Sequence, residues 1–145
     1  MGISCETNAI TEVFCLDEMP LQIQEAPSLE GELMKQCADQ LREYFDGKRK
    51  GFDVALAPKG TDFQQKVWRA LQNVPYGETR TYGEIAAEIG NPKASRAVGM
   101  ANNRNPIMIL IPCHRIIGTN GKLVGYAGGL ARKQALLDLE QKHSR

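Results

Sequence analysis

The sequence predicts an α+β chain whose few strands sit near its start and whose later part is mainly helical. Three observations carry this. Short extended stretches occur before residue 57, apolar residues recur at helical spacing through most of the rest, and Gly, Pro and Asn punctuate the helices.

Taken in order, Ile3-Ser4-Cys5 and Glu12-Val13-Phe14-Cys15-Leu16 read as two short strands joined by a polar loop at Thr7-Asn8. Asp17 to Ser28, with Pro20 and Pro27, reads as a connector, and Ser28 as the N-cap of a helix. On that helix Leu29, Leu33, Cys37, Leu41 and Phe45 recur at about helical spacing before Gly47 stops it. Phe52 to Leu56 is a short extended segment. Pro58-Lys59-Gly60 then marks the expected boundary between a domain at 1–57 and a second at 58–145.

Thr61-Asp62 caps the next helix, with Phe63, Val67, Trp68 and Leu71 on one face, and Val74-Pro75-Tyr76-Gly77 ends it. Two shorter helices, Thr81 to Ile89 and Ala94 to Ala101, flank a Gly90-Asn91-Pro92 turn. Such a pair suggests a helix-turn-helix, whose second helix meets DNA. After Asn105-Pro106 comes the apolar stretch ILIPCHRII, then a glycine-dense loop at 118–129, and a closing helix from Leu130 to Lys142.

Of the 145 residues, 42% are hydrophobic and 24% charged, as in a soluble globular protein. The longest apolar run, around Ile107 to Ile111, is too short to span a bilayer, and the first residues lack the pattern of a signal peptide. The expected setting is therefore the cytoplasm (the nucleus in a eukaryote), with no membrane partner. Charge is uneven. Residues 1–90 carry nine Lys/Arg against fifteen Asp/Glu, a net of −6, and residues 91–145 carry nine against two, a net of +7. A basic second part is what binding to a polyanion needs.

The four cysteines form no CxxC pair, and the only histidines are His114 and His143, so no zinc framework can be read. Cys5, Cys15 and Cys37 read as small buried hydrophobes. The glycine-dense loop lacks phosphate-loop spacing and a following GK[ST], which argues against a nucleotide site.

The chemistry centres on Cys113. A thiol attacks only as thiolate, and the neighbouring His114 imidazole can take its proton. Adjacent residues on a regular strand would face opposite ways, but Pro112 argues for a turn that brings them within reach. An acid is needed to orient the histidine, and the last helix offers both Asp138 and Glu140. These residues alone fit a thiol hydrolase, a redox thiol or an alkyl acceptor equally.

PCHR, preceded by NPIMILI and followed by GYAGGLARKQALLDLE, closely resembles the active-site region of the O6-alkylguanine-DNA alkyltransferases. The likeness extends upstream through FQQKVWRALQNVPYGETRTYGEIAAEIGNPKASRAVGMANNRNP, so it is continuous from Thr61 to about Glu140. The resemblance implies a small, shortened N-terminal α/β domain of ribonuclease H-like fold. A mainly helical, winged-helix-like domain carrying both DNA and the active site would follow it.

It also implies the roles. Cys113 would take the alkyl group from guanine O6 in duplex DNA once and irreversibly, His114 would deprotonate it through a bridging water, and Glu140 would polarise His114. Tyr82 would give its proton toward guanine N3, and Asn105 would hold the active-site turn. Arg96 would fill the space left by a flipped nucleotide, with Ser95, Ala97, Thr81, Lys93 and Arg104 also on DNA. Ala97, Gly99 and Ala101 would let the helix approach the minor groove closely. Val124, Gly125, Tyr126, Ala127 and Gly128 would line the base pocket. Many relatives carry Ser at the position of Ala127, so contact to O6 would fall to backbone N–H groups. The resemblance further implies a protein that needs no metal or cofactor, and it is expected to act as a monomer.

The resemblance leaves rivals to weigh. Alkyltransferase-like lesion-binding proteins share the fold but carry Trp in place of the cysteine, which Cys113 argues against. A cysteine hydrolase would need an oxyanion hole, and a winged-helix regulator would give PCHR no role.

Overall fold

The computed structural model describes residues 2–6, 9–14, 31–121, 126 and 129–144. The expected Thr7-Asn8 loop, Cys15, the connector with its Ser28 cap, and Val124, Gly125, Ala127 and Gly128 lie outside them.

Strands β1 (Gly2–Glu6) and β2 (Ala9–Phe14) form an antiparallel hairpin, with Ile3 opposite Val13 and a register shift between Ser4 and Cys5. The second strand thus starts earlier than the sequence suggested. From Thr11 on the side chains alternate, Thr11 and Val13 buried and Glu12 and Phe14 exposed, and Ile10 before them is fully buried as well. Ile10 also bridges Leu56, with its N–H on the Ala55 carbonyl at 2.8 Å, so the expected extended segment at 52–56 is held as a short third edge.

Helix α1 (Glu32–Phe45) packs on this hairpin through Cys37, Ala38 and Leu41, and it carries Tyr44 inward as well. Cys37 is a core residue whose thiol burial pushes up to about 11, consistent with a packing role, and Cys5 is half-buried.

The second part is helical. Helix α2 (Asp62–Gln72) opens with a capping box in which Thr61 Oγ1 accepts from Gln64 N–H at 3.1 Å and Gln64 Oε1 accepts from Thr61 N–H at 2.9 Å. Its buried face, Val67, Trp68 and Leu71, is the one the spacing predicted, and Trp68 Nε1 donates to the Ala101 carbonyl at 2.9 Å. Helices α3 (Tyr82–Glu88) and α4 (Ser95–Asn103) form the expected pair, both packed against α2. The chain closes with α5 (Leu130–His143). Among the described residues, no helix is long and apolar enough to cross a membrane.

Two pairings escaped the sequence reading, and both position the site. Strand β3 (Arg80–Thr81) lies parallel to β4 (Ile116–Ile117), Arg80 opposite Ile116 and Thr81 opposite Ile117. Two-residue strands leave no period to read. Val13 also bridges Ile107, its N–H on the Pro106 carbonyl at 2.9 Å and its carbonyl accepting from Met108 N–H at 3.1 Å. The N-terminal hairpin therefore grips the residues that lead into the ILIPCHRII segment, and the chain runs on through the core with Ile107, Ile109 and Ile111 almost wholly buried.

Candidate active site

The ILIPCHRII segment is a chain of tight turns, as Pro112 suggested. Ile111 N–H reaches back to the Ile107 carbonyl at 3.1 Å. Pro112, at φ −80° and ψ 65°, makes an inverse γ-turn closed by Cys113 N–H on the Ile111 carbonyl at 2.7 Å. Cys113 to Arg115 then forms one turn of 3-10 helix before β4. Inside the first bend Ile109 sits at φ 73°, a rare conformation for a β-branched residue that costs about 1–3 kcal/mol.

Asn105 holds that bend together. Its Nδ2 donates to the carbonyls of Ile111 (2.7 Å) and Ile107 (3.3 Å), and its Oδ1 accepts from Ile107 N–H at 3.0 Å. Asn102, from the last turn of α4, donates to the Cys113 carbonyl at 3.3 Å. Cys113 is thus fixed from both sides and only 2% exposed.

Behind it lies a buried ionic cluster centred on Glu140, which α5 brings in at 1% exposure. His114 Nε2 meets Glu140 Oε2 at 2.6 Å. Arg115 grips both carboxylate oxygens, Nε to Oε1 at 2.8 Å and Nη2 to Oε2 at 3.0 Å, and spends Nη1 on the Val74 carbonyl at 2.7 Å. Gly77 N–H donates to Oε1 at 3.3 Å from a turn at φ 79°, where a side chain would be strained and would strike Ser144. Tyr44, from α1, donates its hydroxyl to Oε2 at 2.5 Å.

Asp138, the other acid the sequence offered, is exposed and bonds Gln134 at 2.7 Å. Two residues along a helix turn a side chain to the far side.

Burial alone would raise the Glu140 pKa, but the hydrogen bonds and charges of His114 and Arg115 hold it down to about 2. The carboxylate is therefore an acceptor only, which fixes the proton of neutral His114 on Nε2. Nδ1 is then the basic end, buried and without a hydrogen-bond partner among the described residues. Burial lowers the His114 pKa, with Glu140 opposing, so the ring is neutral and able to accept a proton. Such a cluster can pull a proton from a thiol and spread the resulting charge over Glu140 and Arg115.

Tyr82 enters from the other side. Thr81 caps α3 with a second capping box, Oγ1 accepting from Glu84 N–H and Glu84 Oε1 accepting from Thr81 N–H. Because Thr81 also pairs with Ile117, Tyr82 is tied to the Cys113 turn. Burial and the charge of Cys113 raise its pKa, so its hydroxyl keeps its proton for donation. Lys133, which sequence reasoning passed over as part of the basic surface, is completely buried, its ammonium 6.0 Å from the Tyr82 ring centre. Burial draws its pKa down to about 8, against the opposing charge of Cys113.

An open groove of about 560 Å³ runs beside Tyr82, lined by Ser95, Arg96, Gly99 and Met100 of α4 and by Gly118 and Thr119. Lys93, Arg96, Ala97 and Arg104 are exposed along α4 and its ends, whereas Thr81 is committed to its cap. One expectation needs correcting. Of the three small residues assigned to close approach, only Ala97 is exposed. Gly99 faces the Tyr82 ring, where a Cβ would lie 3.7 Å away, and Ala101 is buried under Trp68. The size of Ala101 thus serves packing between helices, while the half-buried Gly99 still lines the groove. Tyr126, the one base-pocket residue within the described set, is buried.

Two family models match the chain. The one described as 6-O-methylguanine DNA methyltransferase, DNA binding domain, covers residues 62–142, and the one described as its ribonuclease-like domain covers 3–58. The chain belongs to the 6-O-methylguanine DNA methyltransferase family. A methylated-DNA–protein-cysteine methyltransferase of Methanosarcina acetivorans is 66% identical over 109 residues, 75% of this chain and 70% of the relative. That of Methanosarcina mazei is 56% identical over 131 residues, 90% of this chain and 83% of the relative. The crystal structure of Mycobacterium tuberculosis OGT in complex with DNA superposes with a TM-score of 0.85 at 47% identity, covering 97% of this chain and 86% of the other. The fold of this family member is accordingly a small ribonuclease-like domain followed by a helical DNA-binding domain.

Proposed function

We propose that this protein reverses O6-alkylguanine damage in duplex DNA by moving the alkyl group, chiefly methyl, onto Cys113. The observation that carries the reading is a buried cysteine beside a histidine whose Nε2 is held by an ionised Glu140 and whose Nδ1 is left as a base. His114 takes the Cys113 proton through a water. The thiolate sulfur attacks the alkyl carbon, an S–C bond forms, and the O6–C bond breaks with its electron pair passing to the guanine. Tyr82 donates a proton toward N3, so that the base leaves near neutral. A thioether has no route back, so each molecule acts once.

The target carbon is out of reach inside a stacked duplex, and flipping the nucleotide costs roughly a few kcal/mol, less at a damaged pair. The exposed Arg96 is suited to fill the vacated space, with Lys93, Ser95, Ala97 and Arg104 along the phosphates. The rival of lesion binding without transfer is disfavoured by Cys113 and by relatives named as methyltransferases at 56–66% identity.

A duplex carrying O6-methylguanine labelled in its methyl group tests the reading. Label is expected to move to protein in a single turnover, one per chain at most, and label that stays on DNA would overturn it.

A further inference from the structure

We propose that Tyr44 is a positioning residue for this transfer: its hydroxyl, delivered by the N-terminal domain, shares Glu140 Oε2 with His114 and limits how strongly the carboxylate draws on the imidazole. The inference rests on the alkyl-transfer reading of Cys113 and His114, and it adds a residue from outside the helical domain to that machinery.

Tyr44 is fully buried, with its ring edge-on to Phe45 and Tyr76 and tilted against Phe52, so its hydroxyl has little freedom to turn elsewhere. The hydroxyl lies 2.5 Å from Glu140 Oε2 and 3.5 Å from His114 Nε2, while His114 itself is 2.6 Å from the same oxygen. Burial and the adjacent carboxylate push its own pKa far above the usual phenol range, so it donates at every working pH. An oxygen that already accepts from a phenol has less electron density to offer an imidazolium.

The other groups facing His114 and Glu140 are Arg115 on the same turn, Lys133 on α5, Tyr76 after α2, and Cys113. Arg115 and Lys133 disfavour a charged His114, and Glu140 favours it. Tyr44 is the group that acts on Glu140 from the N-terminal side. Its removal leaves the carboxylate as a stronger partner for His114⁺, so the imidazole protonates at higher pH and stops serving as a base there.

The test is an NMR titration of the two histidines in wild type and Tyr44→Phe, with His143→Gln assigning the signals. The Phe variant keeps the ring and its packing. The His114 midpoint is expected to rise by about half to one pH unit, a fraction of what a charge-assisted hydrogen bond is worth. The acid limb of the methyl-transfer rate should move with it. Site-specific 3-fluorotyrosine at 44, a stronger donor, should move the midpoint the other way, and it serves if the Phe variant does not fold. An unchanged or lowered midpoint in a folded Tyr44→Phe, or no opposite response to 3-fluorotyrosine, would overturn the proposal. Transfer by the wild type in the same preparation judges the underlying reading separately, because the titration needs no DNA.

Discussion

Replacing Glu140 by Gln should strike stability and chemistry together. The carboxylate accepts five hydrogen bonds, two from Arg115 and one each from His114, Tyr44 and Gly77, at 1% exposure. Gln offers one acceptor oxygen and turns an NH₂ toward donors, leaving the Arg115 guanidinium buried without its counter-charge. Removing one partner of a buried pair costs about 3–5 kcal/mol. The fall of the Glu140 pKa from its ordinary 4.5 to about 2 independently corresponds to about 3 kcal/mol. For a chain of this length the melting entropy is about 0.3 kcal/mol/K, so Tm should drop by roughly 10–17 °C.

The pH dependence has a definite sign. A folded-state pKa below the unfolded one gives stability that is complete above about 4.5 and lost as pH falls through about 2. The gap between wild type and Glu140→Gln, followed by calorimetry, should therefore close on acidification below pH 5. A Tm within about 2 °C of wild type at pH 7, or a gap that stays constant or widens toward pH 3, would refute the assignment of Glu140 as the ionised hub.

Two further substitutions probe other parts of the site. Asn105→Ala removes three hydrogen bonds from the bend that holds Ile109 at φ 73° and should cost about 2–4 kcal/mol, seen as a lower denaturation midpoint together with slower transfer. Arg96→Ala should slow transfer from duplex DNA by about 10–100-fold yet leave transfer from the free O6-methylguanine nucleoside unchanged, because only the duplex requires flipping; equal loss on both substrates would contradict its role.

Much of this was legible in the sequence because it is local. The apolar face of α2, its Thr61 cap, the paired helices α3 and α4, and the turn forced by Pro112 each depend on residues within a few positions of one another. Cysteine beside histidine announced the chemistry but left three reactions open, and only the wider likeness around them narrowed the choice.

What escaped was long-range. Tyr44 sits 96 residues before Glu140, and in sequence it is one more residue beside the Leu41–Phe45 stripe. A tyrosine on the buried face of a helix needs a partner for its hydroxyl, but nothing local names the partner. Lys133 reads as surface charge because lysine is rarely buried, and only the packing of α5 reveals otherwise. Arg115 is occupied by Glu140 and Val74, so it anchors structure, and neither partner lies near it in sequence.

The most direct measurement is intact mass after incubation with an O6-methylguanine duplex, followed by peptide mapping. The account predicts a gain of one methylene, located on Cys113 and absent from Cys113→Ser, with the guanine restored in the DNA. Folded wild-type protein that gains no mass, or gains it on another residue, would contradict it.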